Sequence, residues 1–508
     1  MKVERVKNAG RNIGAGMLSV AVSLILPFIT RTVMIYTLGK LFTGLAGLFQ
    51  SVFQLMNIAE LGLGGAIVFF MYDPIAKDDT DKICALLNLY RKAYRVIGIV
   101  VFVAGLLLLP FLQYLIKDQE IPNVNIYVIY LIQLCSSVAG YLLFPEKKLL
   151  LVAYQRNDIT SKTLLLTDFL KNSSQILILC LFKNYYLFVA VGLVFDCLNH
   201  ILNCCVSLRM YPDYKCRGSV DDALRHVLIG KVKALFTYKI GDIIYGFADN
   251  IVVSAFLGLN ILAIYNNYYY IIMALFSVLA VYYASIRSGI GNTLVLETKE
   301  DNYKYFNILQ FVQQWLIGWI TICLLCLFQP FMVIWVGEEW VLAFPIVVAF
   351  CIYFYVWKVQ DIVVIYKDAA GLWENDRWRP LITSVANLLL NILTVKFWGL
   401  YGVIYSTIVS IVLIDMPWLS RSLFYDYFKE GRFSYYWGII KSFFLTIIIG
   451  GLTWWICSWI NVGNIVGFVI KLLICLVVPN MLYYMIYFNR WEMKEIFLIL
   501  KKYVKKSV

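Results

Sequence analysis

The sequence predicts an all-α polytopic membrane protein of about fourteen transmembrane helices, and three observations predict it. Hydrophobic residues make up 61% of the 508 positions and charged residues only 15%, with a mean hydropathy of +0.76; soluble globular chains are about 25% charged. The apolar residues recur in blocks of roughly 20, the length a helix needs to cross about 30 Å of hydrocarbon. Lipid offers backbone amides and carbonyls no partner, so such blocks must close their hydrogen bonds internally, as helices. Finally, the 44 Lys and Arg residues crowd onto alternate connections between the blocks.

The spans are placed at 11–38, 43–71, 95–116, 125–146, 160–182, 186–208, 235–257, 262–289, 307–329, 345–366, 381–396, 401–422, 438–460 and 464–488. The first follows a basic start but lacks a short apolar core with a small-residue cleavage site, so it reads as a retained span. On one side of the membrane the connections carry only Lys40, Lys117, Lys183 and Lys396, and Arg31, Lys171 and Lys471 stand within spans. Cytoplasmic loops hold the excess of Lys and Arg, so both termini are expected in the cytoplasm. The same bias accounts for the net charge of +13 and gives no reason to expect nucleic acid as a partner. Short outer loops, the longest around Trp335-Val-Gly-Glu-Glu-Trp340, leave no room for an outer catalytic domain.

The expected organisation is a first lobe at 1–209, a basic cytoplasmic linker at 210–234, a second lobe at 235–423, two further spans in 424–488 and a tail at 489–508. The tail pairs Phe497, Leu500 and Val504 with Lys494, Lys501, Lys502, Lys505 and Lys506. It suits either an anionic leaflet or plain solvent. An internal repeat supports two lobes. Leu38-Gly39, followed by an acidic loop ending Asp78-Asp79-Thr80-Asp81-Lys82, recurs as Leu257-Gly258 through Glu297-Thr298-Lys299-Glu300-Asp301. Arg156-Asn157-Asp158 is echoed by Glu374-Asn375-Asp376. With six spans per unit the copies share an orientation, as in transporters built from parallel repeats.

Charges at the bilayer centre cost about 2.5–3.5 kcal/mol on insertion scales and usually face a bundle interior or a wet cavity. Here they lie in helical stripes. Span two carries Gln50, Gln54, Asn57 and Glu60; span five Asp168, Lys171 and Gln175; span six Asp196, His200 and Asn203; span seven Asp242, Tyr245 and Asp249. Arg31 stands inside span one. Each has a plainer structural reading. Asp168 and Lys171 can neutralise each other three residues apart, and Glu60 can pair with Arg31. Arg287 can snorkel to headgroups. Lys358 and Asp361 are expected at the interface, and His200, a turn from Asp196, is either a proton-coupling group or a packing histidine.

The 12 cysteines lie almost all in apolar runs, where Cys acts as a small hydrophobe, and Cys323-Leu-Leu-Cys326 is read as packing with no metal. The sequence contains no G-x-x-x-x-G-K-[ST], H-E-x-x-H or G-x-S-x-G motif and only 2 histidines. Transport without a cofactor is therefore expected over catalysis.

Several segments in order carry a family resemblance: Leu38-Gly39 with Gly44-Leu45, Ala59-Glu60-Leu61-Gly62, and Tyr72-Asp73-Pro74-Ile75-Ala76-Lys77-Asp78-Asp79. Asp249-Asn250-Ile251-Val252-Val253-Ser254, Phe256-Leu257-Gly258-Leu259 and Gly291-Asn292 follow, then Trp335-Val336-Gly337, Ala369-Ala370-Gly371-Leu372-Trp373 and Gly399-Leu400-Tyr401-Gly402-Val403. Nearly end to end, the chain resembles the Wzx-type flippases of the multidrug/oligosaccharidyl-lipid/polysaccharide exporter superfamily. The resemblance implies two six-helix lobes in a V around a central cavity, two additional C-terminal helices, and export of undecaprenyl-pyrophosphate-linked oligosaccharide by alternating access. Membrane lipids, glycan-assembly proteins and H+ or Na+ coupling are the implied partners. In that setting Arg31, Arg287 and Lys171 would hold the pyrophosphate, with Gln54 and Asn57 on the sugars. Glu60, Asp196, His200 and Asp249 would compete for the cations or bind a coupling ion. A multidrug antiporter and a membrane glycan polymerase are the alternatives.

Overall fold

A computed structural model describes residues 5–57, 63–117, 121, 124–373, 376–460 and 465–506. Every regular element among them is helical: α1 Arg5–Met56, α2 Leu63–Ala76, α3 Thr80–Leu108, α4 Leu112–Leu115, α5 Ile126–Leu142, α6 Pro145–Ala153, α7 Asn157–Phe182, α8 Tyr185–Met210, α9 Asp222–Leu257 and α10 Leu259–Leu296. They continue as α11 Lys299–Val336, α12 Phe344–Lys358, α13 Asp361–Ala369, α14 Arg379–Trp398, α15 Leu400–Ser410, α16 Met416–Leu423, α17 Arg432–Ser458, α18 Ile465–Tyr487 and α19 Trp491–Lys506. The chain is an all-α polytopic membrane protein.

Eleven of the described helices are long and apolar enough to cross a membrane, and a twelfth crossing arises if α5 and α6, bent by 51°, form one broken span. Two of the fourteen expected spans fall short of that measure. The second is divided between the end of α1 and the 14-residue α2, and the seventh is apolar only over Ile244–Leu257. Both expected spans run over residues outside those described in full, 58–62 in the second and 235–240 and 242–243 in the seventh.

Glycines set the sharpest breaks. Gly39 divides α1 with φ 81° and ψ −166°, and Gly258 separates α9 from α10 with φ 93° and ψ 169°. That backbone region is essentially limited to glycine. The two members of the Leu-Gly repeat thus share one conformation.

The chain forms two compact units, Met1–Asn266 and Asn267–Val508. In the first, α1 packs along α7 and α9, α7 along α8, and α5 against α3 and α8. Close approach of α1 to the start of α10 requires Gly44, where a Cβ would run into the Leu259 carbonyl. Of the stretch expected as a linker, 222–234 is the start of α9, while 211–221 folds back onto its own unit. Lys147 Nζ donates to the Tyr214 carbonyl at 2.9 Å, Asn88 Nδ2 to the Gly218 carbonyl at 2.8 Å, and the Tyr154 and Tyr214 hydroxyls meet at 2.5 Å. In the second unit α11 is the central post, flanked by α12, α17 and α18, and α14 and α15 form a hairpin against α12.

Candidate transport site

In the first unit a cavity of about 660 Å³ opens among α2, α3, α5, α6, α8 and the end of α1; its polar lining includes Asn57, Gln133, Ser136, Ser137, Asp196 and His200. That volume lies within the ordinary range of small-ligand sites. Asp196 is the cavity's acid. On α8, it accepts from Ser136 Oγ of α5 at 2.9 Å and from Lys171 Nζ of α7 at 3.3 Å. Lys171 also pairs with Asp168 at 3.1 Å, one turn earlier on its own helix. A single ammonium therefore stands between two carboxylates, leaving one net negative charge. The Asp196 side chain keeps 42% of its surface exposed, so it can exchange Lys171 for another cation.

Asn57, just past α1, accepts from Ser137 Oγ at 3.2 Å and Tyr141 OH at 2.8 Å. His200 sits one turn beyond Asp196 and faces Gly140 of α5. Behind the cavity wall, polar ties hold the helices in register. Thr30 Oγ1 donates to Asn172 Oδ1 at 2.8 Å and Thr163 Oγ1 to Asn203 Oδ1 at 3.0 Å, with Asn203 Nδ2 reaching Asn199 Oδ1 at 2.9 Å. The lining offers hydroxyl, amide, imidazole and carboxylate groups together with the Lys148 ammonium, a set suited to hydroxylated ligands and to charges of either sign.

Asn57, Asp196 and His200 come together on this cavity, with Lys171 tied to Asp196. The neutralising pair of Asp168 and Lys171 exists, but Asp196 makes it a triad across two helices. Gln54 is exposed and lies outside the cavity lining, and Arg31 is half-buried on α1. Asp249 is buried on α9, beside Asn250, whose Nδ2 donates to Ser51 Oγ at 2.7 Å. Arg287, in the second unit, is exposed near the end of α10. Glu60, and with it the expected pairing to Arg31, lies outside the described residues.

Lys358 and Asp361, expected at the interface, are buried among side chains of their own unit. They pair at 2.9 Å with side chains only 11% and 16% exposed, and the Lys358 ammonium lies 4.0 Å from the Phe276 ring centroid. Burial follows from the break between α12 and α13, where Gln313 Nε2 takes the Lys358 carbonyl at 2.7 Å.

Sequence reading missed a second charged cluster in that unit. Asp376 accepts from Lys367 Nζ at 2.5 Å and from Arg379 Nε and a second guanidinium nitrogen at 2.7 and 3.1 Å. Arg379 also reaches Asp415, which accepts from Gln360 Nε2 at 2.7 Å. Asp415 closes the π-helical turn Ile411–Asp415, a local widening that recurs at functional sites. The available signal was the Glu374-Asn375-Asp376 echo of Arg156-Asn157-Asp158. In the first copy Asp158 is likewise buried and held by Arg156 through two bonds, at 2.9 and 3.1 Å.

Long apolar helices, glycine-broken connections and a polar cavity between helices define a multi-pass membrane protein. Among solved structures, the fold is similar to the lipid II flippase MurJ in an inward closed conformation, with 14% identity, a TM-score of 0.70, and coverage of 94% of this chain and 99% of that one. It is also similar to a multidrug resistance MATE family transporter of the MOP superfamily in its inward-facing conformation (14% identity, TM-score 0.55, 78% and 93% covered). A Vibrio cholerae MATE transporter matches at 15% identity and a TM-score of 0.53, with 82% and 96% covered. No protein-family model and no curated protein matches the sequence. At these identities the likeness establishes the fold alone, one shared with the MurJ flippase and with MATE transporters.

Proposed function

We propose that this protein is a flippase that carries undecaprenyl-pyrophosphate-linked oligosaccharide units from the inner to the outer leaflet of the bacterial cytoplasmic membrane by alternating access. The observation that carries this reading is the extent of the match: the flippase fold takes in 94% of this chain, against 78% and 82% for the two MATE transporters. The hydroxyl and amide lining of the cavity suits the sugars of such a substrate. A pyrophosphate must avoid hydrocarbon, and a guanidinium binds it through paired, charge-assisted hydrogen bonds. Arg31, Arg287 and Lys171 are assigned to that head group, and Gln54 and Asn57 to the sugars. Asp196, with His200, Asp249 and Glu60, holds the cations or a coupling ion when the substrate is absent.

A second reading, an ion-coupled multidrug antiporter, is favoured by the exposure of Asp196 to the cavity beside a histidine. One experiment separates the two. The gene is deleted, and lipid-linked glycan on each leaflet is quantified with an impermeant label. Accumulation on the inner leaflet, relieved by the intact chain and by Arg31→Lys in part but not by Arg31→Ala at equal protein level, is the result expected. Normal outer-leaflet glycan combined with altered sensitivity to cationic drugs would move the assignment to the antiporter.

A further inference from the structure

Three thiols converge inside the second unit, far along the chain from one another. Cys326 of α11, Cys457 of α17 and Cys475 of α18 place their Sγ atoms within 4.8 Å of one another, and all three residues are buried. Cys326 is within hydrogen-bonding reach of both others. Their positions follow from sequence. Pro479 has no N–H, so the Cys475 carbonyl one turn earlier in α18 loses its helical partner. Trp319 of α11 donates its indole N–H to that carbonyl instead, at 2.9 Å, and the Cys323 thiol approaches it at 3.8 Å. The bond fixes α18 against α11 with Cys475 turned toward Cys326.

A second observation points to a ligand. Lys471 stands four residues before Cys475, on the same face of α18. It is only 9% exposed, has no ion pair or hydrogen bond to any described residue, and is close enough to Cys457 for their charges to interact. A buried ammonium in a membrane-spanning helix calls for a compensating negative charge.

We propose that Cys326, Cys457 and Cys475 form a Cu(I) site within the helical bundle of the second unit, with Lys471 as its counter-charge. Soft sulfur donors select Cu(I), zinc or iron–sulfur clusters. Zinc takes four ligands in structural sites and three plus water in catalytic ones; here the described residues bring three buried sulfurs within 4.8 Å of one another and no fourth His, Cys or carboxylate donor. A three-sulfur set fits a d10 monovalent ion. On binding, Cu(I) displaces the protons of two thiols, which leave to solvent, while the third sulfur coordinates as a thiol. No electron moves. The bis-thiolate complex carries one negative charge, and the Lys471 ammonium brings the buried assembly to neutrality. Copper would then tie α17 and α18 to α11, and this inference stands apart from the choice of transported substrate.

The test uses the full chain, purified in detergent, fully reduced and oxygen-free, titrated against the Cu(I)–bicinchoninate complex. The intact protein should withdraw one equivalent, and X-ray absorption at the copper edge should report three sulfur neighbours. Cys326→Ser, Cys457→Ser and Cys475→Ser should each weaken retention at least tenfold, and Lys471→Met should weaken it where Lys471→Arg does not. Cys351→Ser, a buried thiol on α12 outside the triad, should leave it unchanged. Failure of the intact protein to withdraw copper overturns the proposal, as does equal retention by a triad variant that elutes as a monodisperse peak. A disulfide within the triad of the protein as isolated, seen by mass spectrometry, would also overturn it.

Discussion

Single residues carry the most exacting constraints where a charge is buried. Asp376 is fully buried, as is the Lys367 side chain, and Arg379 is 8% exposed, so this carboxylate lies between two cations that have left water, each of which has a second acidic partner, Asp368 for Lys367 and Asp415 for Arg379. Removing the shared carboxylate breaks the only fully buried pairs of the cluster, and breaking a buried ion pair costs about 3–5 kcal/mol. Asp376→Asn is therefore expected to lower the melting temperature of the detergent-solubilised protein sharply, while Lys77→Met, which breaks an exposed pair with Asp73, leaves it within error. Comparable melting curves for the two variants would refute the argument. The residue scale also marks how far the sequence is legible. The spacing of Asp168 and Lys171 declares their pairing because helix geometry is local. Asp196 joins them only because α8 folds back on α7, and no periodicity reveals that. Asp376 stood out as half of a repeat, but its cations come from either side of a turn whose shape the sequence does not state.

At the level of elements, glycine conformation and tyrosine burial each yield a measurable consequence. Nothing lies within 4 Å of a Cβ built on Gly39, so Gly39→Ala meets no clash and its penalty is purely that of the backbone. Holding alanine at φ 81° and ψ −166° costs about 1–3 kcal/mol, and thermal melting of the purified variant should register that loss. A fall near zero would mean that α1 can straighten there. The Leu-Gly repeat made this break legible. By contrast, the expected span 125–146 runs past the break after α5 because Leu142-Leu143-Phe144 is uniformly apolar, and α6 was not expected. Pro145 at the first position of α6 was the overlooked sign. The docked segment 211–221 adds a pH dependence. Burial, and then the bond to Tyr214, raises the Tyr154 pKa above its ordinary 10.0, and burial raises that of Tyr211. Below pH 10 both tyrosines are protonated whether the segment is docked or free. Above it the free segment loses protons that the docked one keeps, so docking weakens as pH rises. Cleavage within 211–221 by an alkaline-active protease, normalised to a peptide standard, should accelerate between pH 9 and pH 11, and Tyr154→Phe should flatten the rise. A flat rate in the intact chain would exclude this linkage.

For the whole molecule, the governing quantity is how charge is divided across the membrane. The all-helical, many-span architecture was legible because an apolar block long enough to cross lipid has only one way to satisfy its backbone. The number of crossings was less so, because a short break decides whether two apolar runs count as one crossing or two, as at the 51° bend between α5 and α6. Orientation is a separate matter, resting on the confinement of Lys40, Lys117, Lys183 and Lys396 to one set of connections. The positive-inside rule makes that set the outer one. Lys117, Lys183 and Lys396 are exposed, as are Lys82, Lys215, Lys299 and Lys429 on the opposite set, so access to reagent is decided by the membrane and not by packing. In sealed, outer-membrane-stripped cells, an impermeant amine-reactive reagent should modify Lys117, Lys183 and Lys396, and opening the cells should add Lys82, Lys215, Lys299 and Lys429. The reverse pattern would invert the chain, setting its basic tail outside and removing the basis for export in the direction proposed. The expected pattern would put both termini in the cytoplasm, where a substrate assembled on the inner leaflet begins its passage.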